Sequence, residues 1–233
     1  MKRTVTLIIG VSCLLLGNDE VPRKIQVTKT EHADLPAGGT VRFKNSTGEL
    51  TIEGWDQPGV EITTIESTKI AYPAAGVEHD RAAQMLAAVK VSEAREGNYL
   101  VIATEFPRHT RFLPRPSVGA RDFDLEYVVK VPRDAKLVVD HDSGEIHFDD
   151  VTGDIQATLI QGEMTLRLAP AGQYAIDAKC RIGAVTSDFP GTTKREHFGH
   201  SFMQSAQAPH SLYLRNGFGD IIILREHTGV ASK

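Results

Sequence analysis

A glycine-based unit of nine residues sets the strongest limit on the folds that this 233-residue chain can adopt. The unit consists of glycine, usually an acidic residue, and then an apolar residue, and three of its glycines are spaced by nine: Gly144, Gly153 and Gly162. The six triplets that fit the unit are Gly48-Glu49-Leu50, Gly144-Glu145-Ile146, Gly153-Asp154-Ile155, Gly162-Glu163-Met164, Gly183-Ala184-Val185 and Gly219-Asp220-Ile221. Self-similarity at a fixed period is typical of repeat architectures, in which each unit packs on its neighbours.

Apolar and polar residues alternate on both sides of these glycines. Leu137 and Val139 precede Gly144 by seven and five residues, and Ile146 and Phe148 follow it by two and four. Alternation with a period of two predicts strands that bury one face. Each unit is therefore predicted to be a strand of about five residues and a glycine corner, because glycine reaches positive φ without steric cost.

Outside the repeat, most of the chain also has the pattern of strands. Further strands are predicted at Lys24–Thr30, Val60–Ser67, Lys90–Arg95, Tyr99–Glu105 and Phe123–Val131. The period changes once, where Ala82, Met85 and Leu86 fall at helical spacing, and this predicts one amphipathic helix near 78–90. The segment 106–120 contains three prolines and reads as a long surface loop. Lys194–Pro209 lacks strand periodicity and is predicted to be irregular.

The first segment has the composition of an export signal. Lys2 and Arg3 form a short positive head, and the 14 residues 4–17 carry no charge. This run is shorter than the ~20 residues that a membrane-spanning helix needs, so residues 1–17 are predicted to be a signal peptide. Its end matches a cleavage site imperfectly, which leaves an uncleaved membrane anchor open. Attachment of a lipid at Cys13 is a third alternative.

The composition of the chain excludes several classes of protein. It has 26 Lys+Arg against 30 Asp+Glu, a net charge of −4, and 41% hydrophobic residues, which are ordinary values for a globular protein. A negative chain without a concentrated basic face argues against a nucleic-acid partner. Loss of the signal peptide would leave Cys180 as the one cysteine, so the core rather than a disulfide must stabilise the fold.

The densest cluster of candidate metal ligands lies within the repeat. Its members are Asp140, His141, Asp142, His147, Asp149 and Asp150. The alternation places His147 and Asp149 on the solvent side, and a catalytic zinc needs three converging ligands, so no metal site is predicted. Four polar residues lie three positions before a glycine: Asn45, His141, Asp150 and Asn216. We interpret these four as hydrogen-bonding partners of the turn backbone.

Other reactive side chains are assigned to structural roles as well. Cys180 shares the parity of Ile176 and Ala178, which predicts a buried small residue rather than a nucleophile. His197 and His200 are predicted to be loop histidines. The repeat acids are candidates for a glycosidase pair, but their regular position beside each glycine predicts solvated turn residues instead. These acids are Glu145, Asp154, Glu163 and Asp220.

One basic concentration lies in the loop at 106–120 and just after it. Its members are Arg108, Arg111, Arg115 and Arg121. They could meet an anionic envelope polymer or a lipid headgroup, although solvated loop residues are the simpler interpretation. No catalytic, cofactor-binding or metal-ligating residue is therefore predicted in this chain.

Several stretches resemble the bacterial putative-adhesin domain family, a domain of unknown function. They are TVRFKNSTGELTIEGW (Thr40–Trp55), VVKVPRDAKLVVDHDSGEIHFDDVTGDIQATLIQGEMTLRL (Val128–Leu168), YAIDAKCRIGAVTSDF and SLYLRNGFGDIIIL. The resemblance covers roughly residues 35–225 and implies an extracytoplasmic, repetitive strand fold like a right-handed β-helix. It supplies no established catalytic residue.

Together these patterns predict an all-β protein, a β-solenoid like a right-handed β-helix with two units per turn and one accessory α-helix. A β-sandwich or meander would produce the same alternation and stays open. The predicted organisation is a signal peptide at 1–17, a β-repeat domain at 22–228 and a tail at 229–233. The loop at 106–120 is the candidate internal boundary.

The predicted function is that of a non-enzymatic, exported cell-envelope or surface protein with an adhesin-like binding or scaffolding role. The expected partner is an envelope or surface component, either polysaccharide or protein, and no cofactor is expected. After signal cleavage the protein is not expected to be an integral membrane protein. Two alternatives remain: a carbohydrate-active enzyme built on a β-helix, and an envelope-stress sensor.

Overall fold

The computed structural model describes residues 21–36, 38–105, 123–169, 173–205 and 207–226. Within these ranges the chain forms one α-helix, α1 (Val77–Leu86), and fourteen strands. The strands are β1 (Gln26–Ala33), β2 (Thr40–Trp55), β3 (Val60–Thr68), β4 (Lys90–Glu96), β5 (Tyr99–Glu105), β6 (Phe123–Pro132), β7 (Lys136–Asp149), β8 (Ile155–Leu168), β9 (Tyr174–Ile182), β10 (Val185–Ser187), β11 (Thr192–Glu196), β12 (Gly199–Gln204), β13 (His210–Phe218) and β14 (Ile221–Arg225). The predicted all-β class with one helix is confirmed.

Three long parallel strands form the centre of the sheet. β7 pairs with β2 on one side and with β8 on the other. The register joins Leu137 to Ile155 and Gly144 to Gly162, so β7 and β8 are offset by 18 residues, which is two nine-residue units. Each long strand therefore has one repeat glycine in its middle, and the intervening Gly153 lies in the connection from β7 to β8.

The other strands extend this ladder in both directions. Their order along the main path is β1-β3-β6-β2-β7-β8-β13-β9-β12-β11. β13 lies between β8 and β9 and is parallel to both, although it follows them in the sequence. Antiparallel strands finish the path at both ends. The sheet is not closed, and its winding as a solenoid, or its division as a sandwich or meander, stays a prediction.

The glycines of neighbouring strands stack into a column that crosses the ladder. In spatial order these are Gly48, Gly144, Gly162, Gly219 and Gly183, with φ between 100° and 139°. A Cβ atom on Gly144 would lie 1.8 Å from the carbonyl oxygen of Gly48, and one on Gly162 would lie 1.7 Å from that of Gly144. The column therefore requires glycine both for its backbone angle and for the close approach of the next strand.

The connection between β7 and β8 is built differently from the predicted glycine corner. Here Asp150, with φ of 58°, adopts the left-handed conformation, and Gly153 does not. A Cβ atom on Gly153 would lie 2.1 Å from the carbonyl oxygen of Ala135. Close approach alone therefore requires the glycine at this position.

The inward-facing positions of the strands line one hydrophobic core, as the alternation predicts. Val139, Phe148, Ala157 and Leu166 are each no more than 1% exposed and belong to a single cluster. The same cluster continues into β3 near one end of the ladder and into β12 near the other. Inward aliphatic side chains from successive strands thus account for most of the buried apolar surface.

Helix α1 is shorter than the predicted helix near 78–90 and spans Val77–Leu86. After it, the N–H groups of Ala88 and Val89 donate to carbonyl oxygens three residues earlier. Bonds of this spacing tighten the last turn, and the chain then enters β4 at Lys90. Burial of the helical face against the sheet is as predicted, with Ala82 and Leu86 inside.

The prediction that Lys194–Pro209 lacks strands was wrong. β11 and β12 form an antiparallel hairpin whose two-residue turn is His197-Phe198. All five residues of β11 are exposed, so this edge strand has no buried face and its sequence shows no alternation.

The predicted signal peptide, the tail at 229–233 and the 106–120 loop lie outside the described residues. The strands that flank this loop, β5 and β6, both pair with β2.

Candidate binding surface

The parts of β8, β13 and β9 that precede the glycine column present their outward side chains on one face of the sheet. We call this the arginine–tyrosine face, and its residues are Gln156, Thr158, Asp177, Lys179, Tyr213 and Arg215. The register places Tyr213 between Gln156 and Asp177, and Arg215 between Thr158 and Lys179. Neighbouring strands lie about 4.8 Å apart, so the side chains within each row are neighbours.

Arg215 is the fixed centre of this face. Its guanidinium carbon lies 3.7 Å from the centroid of the Tyr213 ring, and Nη2 donates to Asp177 Oδ2 at 2.8 Å. Nη1 also donates to the backbone carbonyl oxygens of Asp177 and Leu214, both at 2.9 Å. Burial acts to lower the pKa of Arg215, but the hydrogen bond and charge of Asp177 outweigh it and raise the pKa. The guanidinium is thus charged and held in one position.

The face continues toward the edge of the ladder through Lys179. Its ammonium group forms an ion pair with Glu196 of β11, which also accepts a hydrogen bond from Ser201 Oγ at 3.3 Å. Exposed Met203 lies across Asp177 from Tyr213. Three neighbouring strands are therefore tied together by side chains on their outer surface.

This arrangement offers an amphipathic contact surface. The Tyr213 ring is 45% exposed, and about half of the Lys179 and Asp177 side chains remains accessible. An exposed aromatic ring beside fixed hydrogen-bonding groups is typical of binding surfaces, in which aromatic residues and arginine are enriched. Such a ring can stack on the C–H face of a sugar, while the carboxylate and ammonium groups beside it bind hydroxyl groups.

Two of the four side chains predicted to bond the turn backbone, His141 and Asn216, lie in a buried column beside the glycines. The third, Asp150, is partly exposed and pairs with Arg133 instead. Asn216 Nδ2 donates to the carbonyl oxygen of Gly162 at 2.9 Å. Cys180 Sγ donates to the carbonyl oxygen of Gly219 at 2.9 Å, and burial raises the pKa of this thiol to about 11. Cys180 is buried, as predicted, and its hydrogen bond adds a role that its parity did not show.

His141 occupies the same column in β7. Its Nε2 donates to the carbonyl oxygen of Gly48 at 3.1 Å, and its Nδ1 lies 2.7 Å from Ser46 Oγ. A carbonyl oxygen only accepts, so Nε2 carries a hydrogen; in the neutral ring, which burial favours, Nδ1 accepts a hydrogen bond from the Ser46 hydroxyl. Burial lowers the pKa of His141. A bulge in β2 brings Ser46 to this position, whereas the side chain of Asn45 lies outside the described part of the chain.

The six candidate metal ligands do not converge on one point. Asp140 pairs with Arg42 at 3.3 Å, Asp149 with Arg167 at 2.9 Å and Asp150 with Arg133 at 3.0 Å, while Asp142 is exposed. His141 is buried in the column, and His147 lies 3.3 Å from Glu145. No group of three or more such side chains in the described ranges could hold a metal ion.

The four acids considered as a catalytic pair separate into two kinds. Asp154 accepts the backbone N–H of Ser211 at 2.9 Å, and Asp220 accepts that of Ala184 at 2.7 Å. Burial acts to raise the pKa of Asp154, but the Ser211 hydrogen bonds and the charge of Lys136 lower it. These two aspartates therefore hold the backbone of neighbouring strands together.

Glu145 and Glu163 instead form part of a row across the sheet. Matching positions on β6, β2, β7 and β8 carry Glu126, Glu49, Glu145 and Glu163. Like charges on directly opposed strand positions destabilise a sheet. An open pocket of about 430 Å³ adjoins the first two of these glutamates, and a second of about 440 Å³ lies beside Trp55.

The remaining candidates lie in the β11–β12 hairpin or outside the described residues. His197 and exposed Phe198 form the turn of the β11–β12 hairpin. His200, predicted to be a loop residue, lies in strand β12 instead, and its Nδ1 donates to the carbonyl oxygen of Gly183 at 2.9 Å. Residues outside the described ranges include Cys13 and the basic cluster Arg108, Arg111, Arg115 and Arg121.

One buried carboxylate was missed by the sequence analysis. Glu66 of β3 is 1% exposed, and neither carboxylate oxygen has a hydrogen-bond partner within the described ranges; Lys29 Nζ lies 3.6 Å away. Burial raises the pKa of Glu66, although Lys29 acts to lower it. Nearby, the Tyr127 hydroxyl bonds Thr104 at 2.8 Å, and burial raises the pKa of Tyr127 to about 12. The inward parity of Val60–Ser67 was the signal that could have identified Glu66.

Comparisons with known proteins give a shared fold and no family. No protein-family model and no curated protein matches the sequence. The chain is similar to the crystal structure of a putative cell adhesion protein from Clostridium sporogenes, with 13% identity and a TM-score of 0.52 over 87% of this chain and 100% of that one. A putative adhesin from Bacteroides fragilis aligns at 10% identity over 87% of this chain and 99% of that one, with a TM-score of 0.28.

The described part of the chain has no helix with the length and apolar content needed to cross a bilayer.

Proposed function

We propose that this protein is an exported, non-enzymatic surface protein with an adhesin-like role, and that its arginine–tyrosine face binds an envelope or cell-surface polysaccharide. Residues 1–17 would direct export and then be removed. The strands would wind as a right-handed solenoid with two nine-residue units per turn. A rigid stack of this kind would present the face without reorganisation on binding, which lowers the entropic cost of association.

The observation that carries this proposal is the arrangement of Tyr213, Arg215 and Asp177. The guanidinium is fixed by four polar and aromatic contacts, yet the ring and the carboxylate beside it are accessible. Side chains held in place before the ligand arrives keep more of their interaction energy for binding. Likeness to a cell adhesion protein supports the fold on which the face is built.

Binding of labelled protein to isolated envelope polysaccharide tests the proposal. The substitution Tyr213→Ala removes the ring from the face and is expected to weaken binding about tenfold. The control is Tyr99→Ala, because Tyr99 is 46% exposed, almost the same as Tyr213, but lies in the hairpin of β4 and β5. Circular dichroism of both variants checks that they are folded.

The same samples distinguish the outcomes. Loss of binding in Tyr213→Ala with retention in Tyr99→Ala supports the proposal. Equal binding of wild type and both variants, or no binding by the wild type, overturns it. Release of new reducing ends from the polysaccharide by the wild type would overturn the non-enzymatic assignment and favour a carbohydrate-active enzyme.

A further inference from the structure

A stripe of exposed apolar side chains crosses the last strands of the ladder beside the glycine column. We call it the corner stripe, and it consists of Ile160, Phe218, Ile182 and Phe198. Their exposed fractions are 57%, 43%, 41% and 79%. Of the ten exposed large apolar residues in the described ranges, six lie between positions 160 and 218, and the four residues of the stripe are among these six. Exposed apolar residues concentrated in one place mark an interaction site.

The pairing of the strands makes these four residues spatial neighbours. Phe218 pairs with Gln161, the residue after Ile160, on one side and with Ile182 on the other. The backbone carbonyl oxygen of Phe198 accepts the N–H of Gly183, which directly follows Ile182. At about 4.8 Å for each strand, the stripe is roughly 15 Å long. Beside Gly162 the alternation of β8 is interrupted, and Ile160 and Gln161 are exposed in succession.

Basic side chains flank the stripe without a close acidic partner. The Arg181 guanidinium lies 4.8 Å from the centroid of the Phe218 ring. In the described part of the chain, no carboxylate lies within 4.0 Å of Arg181, Lys194 or Arg195. Of the acids nearby, Glu196 pairs with Lys179 and Asp177 pairs with Arg215, while Asp220 accepts a backbone N–H. Exposed Glu163, at the β8 end of the stripe, accepts the hydroxyl of Thr165. The end of the ladder therefore combines apolar residues with an excess of positive charge.

We propose that the corner stripe docks this protein onto an anionic phospholipid surface. Aromatic and aliphatic side chains enter the interface between headgroups and acyl chains, while lysine and arginine contact the anionic headgroups. The exposed tip residue Phe198 would insert deepest. An isologous dimer through the same stripe would bring Arg181, Lys194 and Arg195 of two copies together, and repulsion between like charges disfavours it. This inference does not depend on the proposed polysaccharide ligand.

Co-sedimentation with vesicles tests this inference. The protein is used from Asn18 onward, because residues 1–17 precede every described element and are themselves apolar. We expect binding to vesicles of phosphatidylglycerol and phosphatidylcholine, weak binding to phosphatidylcholine alone, and a decrease in binding with added salt. Phe198→Ser should lower the partition coefficient about tenfold, the effect of losing one buried aromatic side chain.

Two further variants separate membrane docking from adsorption by charge alone and from self-association. Val77→Ser alters a residue that is 85% exposed at the start of α1 and should bind vesicles like the wild type. Tyr213→Ala should also retain vesicle binding, so failure of this inference is distinct from failure of the polysaccharide proposal. Salt-sensitive binding that is unchanged in Phe198→Ser would overturn the inference, because only charge would then be involved. Absence of vesicle binding, or concentration-dependent dimerisation that Phe198→Ser abolishes, would overturn it as well.

Discussion

Two separate features require glycine at each position of the glycine column: a positive backbone φ angle, and a neighbouring strand too close to leave room for a Cβ atom. Gly144 has φ of 123°, and a Cβ atom there would lie 1.8 Å from a carbonyl oxygen. Gly76 has φ of 127°, but nothing lies within 4 Å of its Cβ position. These two residues share the first requirement and differ in the second, so a pair of substitutions can separate them.

Gly144→Ala is expected to lower the free energy of unfolding by about 4 kcal/mol or more, because it strains the backbone and displaces the neighbouring strand. Gly76→Ala should cost about 2 kcal/mol, from the backbone angle alone. Urea denaturation followed by circular dichroism measures both values. Equal losses would show that the close approach between strands does not require glycine at Gly144.

His141 makes a single-residue contribution to the pH dependence of stability. Burial holds the pKa of His141 in the folded protein below its ordinary value of 6.5. The unfolded chain therefore takes up this proton more readily, and stability is lost as the pH falls below 6.5 toward the folded pKa. Leu159 occupies the matching column position in β8, so the site accepts an apolar residue of similar size.

We expect His141→Leu to remove this pH dependence. Unfolding by urea would be measured at several pH values between 7.5 and 5, a range chosen to span the ordinary pKa of about 6.5. The wild type should lose stability relative to the variant as the pH falls, because only the wild type has a buried imidazole to protonate. Parallel curves for the two proteins would contradict the assignment of a neutral, buried His141.

At the scale of strands, the sequence predicts the buried face but not the neighbours of each strand. Alternation identified the inward residues from Val139 to Leu166 because burial repeats every second residue. The placement of β13 between β8 and β9 has no local signal, since it depends on pairing with strands that come earlier in the chain. The corner stripe was missed for this reason: Ile182 and Phe218 become neighbours only through that insertion. The arginine–tyrosine face was missed in the same way.

The parity of β8 is tested by a pair of adjacent substitutions. Ile155→Asp puts an unpaired charge at a position that is 1% exposed, and should cost about 4 kcal/mol or more. Gln156→Asp changes an outward, exposed residue and should alter stability by about 0.5 kcal/mol or less. Thermal melting of both variants compares them directly. Equal melting temperatures would refute the assigned parity.

For the whole molecule, charge is distributed unevenly over the ladder. A row of glutamates crosses the strands from β6 to β8, whereas Arg181, Lys194 and Arg195 lie at the far end. The net charge of −4 is the sum over the whole chain and describes neither of these regions. An anionic membrane would attract the basic end and repel the acidic row, which ends at Glu163, three residues from Ile160 on β8. This favours an orientation in which the Phe198 end of the corner stripe faces the lipid.

A single core joins the strands before and after the 106–120 loop, so we expect the two parts of the chain to unfold together. An unfolding experiment that follows each part separately tests whether this loop is a domain boundary. Trp55, the one tryptophan, lies in β2, and the buried Cys180 lies in β9. Trp55 fluorescence and labelling of Cys180 by a thiol reagent should report the same urea midpoint, because both residues depend on one packed structure. The control is Cys180→Ser, which should show no labelling at this site. Labelling of Cys180 at clearly lower urea than the fluorescence change would show that the two ends of the ladder unfold separately.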